Sequence, residues 1–148
     1  LQREQKKFQY LSGLNWLITL KRMIMNDNPK IGINVSTSYI PEQSSPENNH
    51  YVFSYTITIK NHGKISAKLI SRHWIITDSN AKIQEVFGDG VIGKQPELNS
   101  GDQFCYTSGV VIETPVGSME GKYFMESING NFEAPIPPFT LAIPEILN

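Results

Sequence analysis

The residues most suggestive of chemistry are three glycines, Gly88, Gly90 and Gly93, followed by Lys94. Their G-x-G-x-x-G spacing is that of the dinucleotide fingerprint, in which backbone amides approach a pyrophosphate at a helix N-terminus. Here Pro96 would stop a helix at once, and no second parallel strand with an acidic ribose ligand follows. The pattern therefore predicts a glycine loop that crosses between sheets. A nucleotide or pyrophosphate site at loop 88–93, with Lys94 as the counter-charge, is the alternative.

Arg72 is the other candidate ligand contact. It lies two residues before Trp74 in an apolar segment typical of a central strand, so both side chains would share one face. A buried guanidinium needs a partner, because an unpaired buried charge is costly. Asp78 and Glu85 are acidic candidates for that partner, and a bound ligand is a third. The sequence leaves these three open.

Histidine and acidic side chains are potential metal ligands, but their spacing does not favour a metal centre. His50, His62 and His73 lie in three different segments, without the short spacing typical of zinc sites. Four carboxylates surround the glycine loop: Glu85, Asp89, Glu97 and Asp102. They could hold a divalent cation weakly through oxygen, although a solvated acidic rim is the simpler interpretation. We predict no resident metal and no cofactor.

Nucleophilic catalysis has no support in the sequence. Ser108 precedes Gly109 but lacks the G-x-S-x-G elbow. Cys105 is the sole cysteine, which excludes an internal disulfide and suits a reducing compartment. Its neighbours Phe104 and Tyr106 predict a packed thiol, and no nearby cation would activate it. We predict no catalytic residue and no enzymatic activity.

Charge is divided unevenly along the 148 residues. The formal net charge is −1, but residues from Met23 onward carry eight basic and thirteen acidic side chains, a net charge of −5. Proteins that bind nucleic acid need basic stripes that neutralise phosphates, so we predict no nucleic-acid partner.

Residues 1–22 differ from the rest. The apolar run LSGLNWLITL is too short to span a membrane, and Lys21–Arg22 occupies the place of a signal-peptide cleavage site. We expect an N-terminal extension outside the domain, non-native or dispensable. Its expected local structure is a short helix through these residues: Phe8, Leu11, Leu14 and Ile18.

From Lys30 onward, apolar residues alternate with polar ones at the period of two that is typical of strands. We predict strands within 31–36, 51–60, 67–76, 82–87, 104–113, 119–128 and 132–143. Asn129-Gly130 predicts a two-residue type I′ hairpin turn, and prolines place the last strand at a sheet edge. The spacing predicts an all-β, immunoglobulin- or fibronectin type III-like sandwich of seven to eight mostly antiparallel strands. Trp74 is the expected core tryptophan, and Leu98, Gly101 and the aromatics that follow suggest a tyrosine corner.

Several runs of residues, met in order, resemble the ApaG (also called CorD) family. They are Ser71–Asp78, Gly88–Pro96, Leu98–Gly101, Phe104–Gly109, Gly117–Met119, Gly121, Tyr123, Gly130, Phe132, Ile136–Pro137, Phe139, Leu141 and Pro144. The match runs from about Lys30 to the end, so residues 23–148 are expected to form one ApaG domain. The resemblance implies a fibronectin-type sandwich in a bacterial cytoplasmic protein linked genetically to cobalt and magnesium tolerance. Related domains serve as interaction modules in an F-box protein and a polymerase-δ-interacting protein.

The resemblance supplies no catalytic residues. We therefore expect a non-catalytic protein-interaction module, associated with cobalt and magnesium homeostasis through efflux, as a monomer or homodimer without a membrane span. The alternatives are a nucleotide or pyrophosphate sensor and a protein that binds divalent metal directly. The candidate ligand contacts are Gly88, Gly90, Gly93, Lys94 and Arg72.

Overall fold

The computed structural model describes residue 13, residues 15–22 and residues 29–146. Residues 15–22 are helical, and all of them are exposed. Ile18 of the expected helix lies in this segment, whereas Phe8, Leu11 and Leu14 lie outside the described residues. No helix in the described ranges has the length and apolar character needed to cross a membrane.

Eight antiparallel strands form two packed sheets, which confirms the predicted all-β sandwich. The strands are β1 (Ile31–Tyr39), β2 (Tyr51–Asn61), β3 (Ala67–Asp78), β4 (Ile83–Asp89), β5 (Glu97–Leu98), β6 (Gln103–Ile112), β7 (Val116–Ser127) and β8 (Gly130–Ala142). One sheet has the order β1-β2-β6, and the other has the order β4-β3-β7-β8 with the short β5 beside β3. Three single 3₁₀ turns complete the described elements: Pro41–Gln43, Pro46–Asn48 and Pro144–Ile146. The proline-rich β8 is an edge strand, as predicted.

The core lies between the two sheets. Every second side chain of each long strand points into it, as the apolar–polar alternation of the sequence predicts. In β2, Phe53, Ile57 and Ile59 face inward and are fully buried. On the facing sheet, Trp74 is only 2% exposed and contacts the ring of Tyr55 edge-on at 5.4 Å between centroids. Trp74 is therefore the core tryptophan that the sequence predicts.

A pair of buried tyrosines connects the two sheets. The hydroxyl groups of Tyr106 on β6 and Tyr123 on β7 lie 2.5 Å apart. Burial raises the pKa of Tyr106 to about 12, and burial likewise raises the pKa of Tyr123. The predicted tyrosine corner is therefore wrong for Tyr106, because its hydroxyl contacts a second hydroxyl across the core and not the nearby backbone.

Two local predictions are also wrong. The last hairpin turns through Ile128 and Asn129, since Ser127 pairs with Gly130. Positive φ occurs at Gly130 (+111°) and not at the two central residues, so the turn is not type I′. Cys105 is exposed and not packed, because the alternation of β6 turns its neighbour Tyr106 inward.

Candidate functional site

An irregularity in β3 anchors the glycine loop. The pairing of β3 with β7 shifts register between Leu69 and Ser71, which marks a β-bulge at Ile70. The Ile70 carbonyl accepts hydrogen bonds from the Gly90 amide (2.7 Å) and from Nε2 of Gln95 (2.9 Å). The bulge thus gives the loop a fixed attachment point on the five-stranded sheet.

Each glycine of the motif has an architectural reason. A Cβ on Gly88 would lie 2.7 Å from Nη1 of Arg72, so glycine lets the guanidinium lie against the backbone of β4. Gly90 has φ of +59°, and a Cβ there would collide with the Lys94 carbonyl oxygen. Gly93 has φ of +75° with open space around it, so its requirement is conformational alone.

The tip of the loop is a tight two-residue turn. Val91 and Lys94 exchange backbone hydrogen bonds of 2.8 and 2.9 Å, and Val91 is fully buried. The central residues Ile92 and Gly93 both have positive φ, as in a type I′ turn. Ile92 at φ +44° is an outlier for a β-branched residue, and its side chain is exposed. Sequence reasoning missed this strain, since isoleucine is not a residue that signals positive φ.

Most of the loop amides are already used inside the fold. The amides of Gly90, Val91 and Lys94 all donate to backbone carbonyls. Within the described part of the chain, the amides of Ile92 and Gly93 have no hydrogen-bond acceptor. No helix begins after the loop, as its proline predicts, so the geometry lacks the helix N-terminus on which the dinucleotide fingerprint depends.

Arg72 is partnered by the glycine loop and not by an acidic side chain. Its Nη1 donates to the carbonyl oxygens of Asp89 (3.1 Å) and Gly90 (2.8 Å). The two acidic candidates have other partners. Asp78 accepts the amides of Asn80 and Lys82, and Glu85 lies 3.5 Å from Nε2 of His73. The structure therefore brings Arg72 together with Gly88 and Gly90, while Gly93 and Lys94 occupy the exposed outer turn.

Metal-ligating side chains do not converge in the described ranges. No group of three or more histidine, cysteine, aspartate or glutamate side chains is placed to hold an ion there. His73 packs its ring flat on Phe87, with centroids 4.0 Å apart and planes 8° apart. The His73 side chain is only 14% exposed, so stacking on Phe87 covers most of it.

Edge strand β4 carries an apolar surface that sequence reasoning missed. Ile83 and Phe87 are 63% and 67% exposed. They pair with Thr77 and His73 of β3, so they lie on the same, outer face of the sheet. The opposite edge of β4 pairs with no strand in the described part of the chain. The sequence predicted a strand at 82–87 but not this surface, because strand alternation alone does not tell which face of a sheet is covered.

Comparison with known proteins identifies the family of this chain. A family model described as the ApaG domain matches residues 41–127. "Protein ApaG" of Photobacterium profundum is 54% identical over 127 residues, which are 85% of this chain and all of that protein. "Protein ApaG" of an Azoarcus species is 50% identical over the same shares. A crystal structure described as the putative ApaA protein from Bordetella pertussis superposes with a TM-score of 0.76 at 49% identity, covering 78% of this chain and 95% of that one. This chain therefore belongs to the ApaG family.

Proposed function

We propose that this chain is a non-catalytic protein-interaction module that acts in cobalt and magnesium homeostasis, by way of efflux, in the bacterial cytoplasm. One observation carries the proposal: two large apolar side chains, Ile83 and Phe87, are exposed on the outer face of β4, whose second edge pairs with no strand in the described part of the chain. Exposed apolar edges favour aggregation unless a partner covers them, so soluble proteins keep them mainly for binding. The cation-homeostasis role rests on the family resemblance.

The expected partner presents an extended segment that adds to β4 as a further strand. In this mode, the backbone amides and carbonyls supply affinity, and apolar side chains beside them supply specificity. Two of the other outer edges, those of β8 and β1, suit this less well. Strand β8 contains Pro135, Pro137 and Pro138, which lack amide donors, and β1 exposes serine and threonine side chains.

The test replaces Phe87 by aspartate and compares it with a matched control, Ile128→Asp. Ile128 is 76% exposed but lies in the turn after β7, away from β4. In a bacterium whose own copy is deleted, wild type and Ile128→Asp should restore growth on cobalt, and Phe87→Asp should not. A partner captured with the wild-type chain should bind Phe87→Asp about 30-fold or more weakly, as expected for a hot-spot aromatic. Equal growth and equal affinity of the two variants would refute the proposal.

A nucleotide or pyrophosphate sensor at loop 88–93 is the second candidate. The observation in its favour is that the amides of Ile92 and Gly93 have no acceptor in the described ranges and lie beside Lys94. An amide NMR titration with pyrophosphate, with and without magnesium, tests it. Saturable shifts at Gly88, Gly90 and Gly93 would favour the sensor, and unchanged resonances would reject it.

Direct binding of a divalent metal is tested by calorimetry with cobalt and with magnesium. Saturable heat of binding would favour it, and no heat would reject it.

A further inference from the structure

A cavity of about 280 Å³ lies between the sheets, on the side where the edge strands β4 and β6 approach each other. Its deep wall includes the buried rings of Tyr55 and Trp74, and its rim includes the exposed side chains of Val86 and Ile92. Small-molecule sites usually measure about 300–1,000 Å³, so this cavity suits a compact ligand below drug size.

Arg72 supplies the positive charge of the cavity. Its Nη1 is occupied by two loop carbonyls, but Nη2 and Nε have no acceptor in the described part of the chain. None of the described carboxylates forms a salt bridge with it. A half-buried guanidinium without a counter-ion is poorly compensated, because two carbonyl dipoles replace only part of its hydration.

Two hydroxyl groups add hydrogen-bonding capacity to the wall. Ser108 lines the cavity, and so does Tyr106. Either hydroxyl can donate the Tyr106–Tyr123 hydrogen bond, so Tyr106 keeps its own hydrogen for an acceptor in the cavity when Tyr123 is the donor. The polar side chains of the cavity are therefore one cation and hydroxyl groups, with no carboxylate among them, and most of its other lining side chains are apolar.

We propose that this cavity binds a small monocarboxylate with a compact aromatic or branched aliphatic body. The carboxylate pairs with Nη2 and Nε of Arg72, whose fork geometry matches two carboxylate oxygens. The apolar body packs against Tyr55 and Trp74. A phosphate or pyrophosphate fits less well, because its extra charge would be desolvated against apolar walls with one cation present, and Lys94 is exposed on the outer turn.

The experiment is an NMR titration of the purified full chain with benzoate, in which the indole N–H resonance of Trp74 is followed. Trp16 provides an internal control, because it lies in the exposed helical segment. Benzyl alcohol serves as the neutral counterpart of benzoate, and inorganic phosphate serves as the small hydrophilic anion. We expect saturable shifts of Trp74 with benzoate, at least about tenfold weaker binding of benzyl alcohol as expected for loss of a charge-assisted pair, and no effect of phosphate.

Two variants separate occupancy of the cavity from damage to the fold. Val86→Trp fills the cavity from its rim while keeping the Arg72 side chain in the protein, and it should abolish the benzoate shifts. Val111→Trp is the matched control, since Val111 is a similarly exposed valine on β6 outside the cavity lining. Arg72→Gln should weaken benzoate at least about tenfold, as for a lost charged hydrogen bond.

The proposal is overturned if the Trp74 resonance does not saturate with benzoate, or if benzyl alcohol binds equally well. It is also overturned if Val86→Trp, folded by its spectrum, binds benzoate like the wild type. These outcomes leave the β4 surface untouched, because Phe87 lies on the outer face of the sheet, and the interaction proposal is judged by its own variants.

Discussion

Gly90 and Gly93 show how one motif can contain two kinds of constraint. Both residues have positive φ, at +59° and +75°, but only Gly90 also approaches a backbone oxygen, that of Lys94. The glycine spacing that suggests a phosphate site is thus accounted for by a loop that must turn sharply and bury Val91. Phosphate binding is a separate property, which the titration described above tests.

This difference predicts unequal costs of substitution. Gly93→Ala should lower the free energy of unfolding by about 1–2 kcal/mol, the cost of placing an L-residue in the left-handed region. Gly90→Ala should cost more, because the new methyl group also displaces the Lys94 carbonyl. Urea denaturation of both variants measures this. Equal losses would contradict the close approach at Gly90.

Ile92 should be a site of easy stabilisation. Its φ of +44° is unfavourable for a β-branched side chain, whereas asparagine accepts positive φ and is favoured beside glycine in type I′ turns. We expect Ile92→Asn to raise the free energy of unfolding by about 1 kcal/mol. Ile128→Asn, at an exposed turn position without positive φ, serves as the control and should change little. A destabilised Ile92→Asn variant would contradict the strained turn.

At the scale of elements, the Tyr106–Tyr123 pair makes the contact between the sheets sensitive to alkaline pH. Burial raises the folded-state pKa of both phenols above the ordinary value of 10.0, to about 12 for Tyr106. The unfolded chain therefore loses these protons first as pH rises. The stabilisation is fully present below pH 10 and is lost as pH increases through the folded-state pKa.

The expected slope is a fall of about 1.4 kcal/mol in unfolding free energy per pH unit for each titrating tyrosine between pH 10 and 12. Denaturant unfolding across this range measures the slope, with Tyr106→Phe as the comparison. The variant should lose roughly half of the slope, since one ionisable group remains. A wild-type profile no steeper than that of Tyr106→Phe would rule out the buried pair.

The strands could be predicted because their alternation is a local property of the chain. The face that each strand covers depends on distant residues, and there the sequence-based predictions were wrong. Cys105 was assigned to the core and is exposed, and the apolar side chains of β4 were not recognised as a surface. For Arg72, the sequence left Asp78, Glu85 or a ligand as the partner. In the structure its partners are backbone carbonyls, whose positions cannot be inferred from residue types.

At the scale of the whole molecule, the described N-terminal residues 15–22 contribute little to the sandwich. Residues 15–22 are helical but exposed throughout, including the apolar side chains of Trp16 and Leu17. Deleting residues 1–22 should leave the thermal midpoint unchanged. Deleting residues 130–146 should instead prevent folding, because β8 buries Ala134, Ile136 and Leu141. Calorimetry of both truncations decides this, and a clearly lower midpoint for the first would show that the segment packs on the domain.

The two proposed sites lie on different faces of β4, the partner surface outward and the carboxylate cavity inward. A protein partner and a small carboxylate could therefore contact β4 at the same time, from opposite faces. Of the two, only the partner surface explains why Ile83 and Phe87 are exposed.

The most direct measurement is amide hydrogen exchange of this chain with and without a partner captured through it. Addition of a partner strand to the open edge predicts slower exchange confined to β4, residues 83–89, and loss of that protection in Phe87→Asp. Protection centred on β1, on β8 or on the glycine loop, with β4 unchanged, would contradict the account.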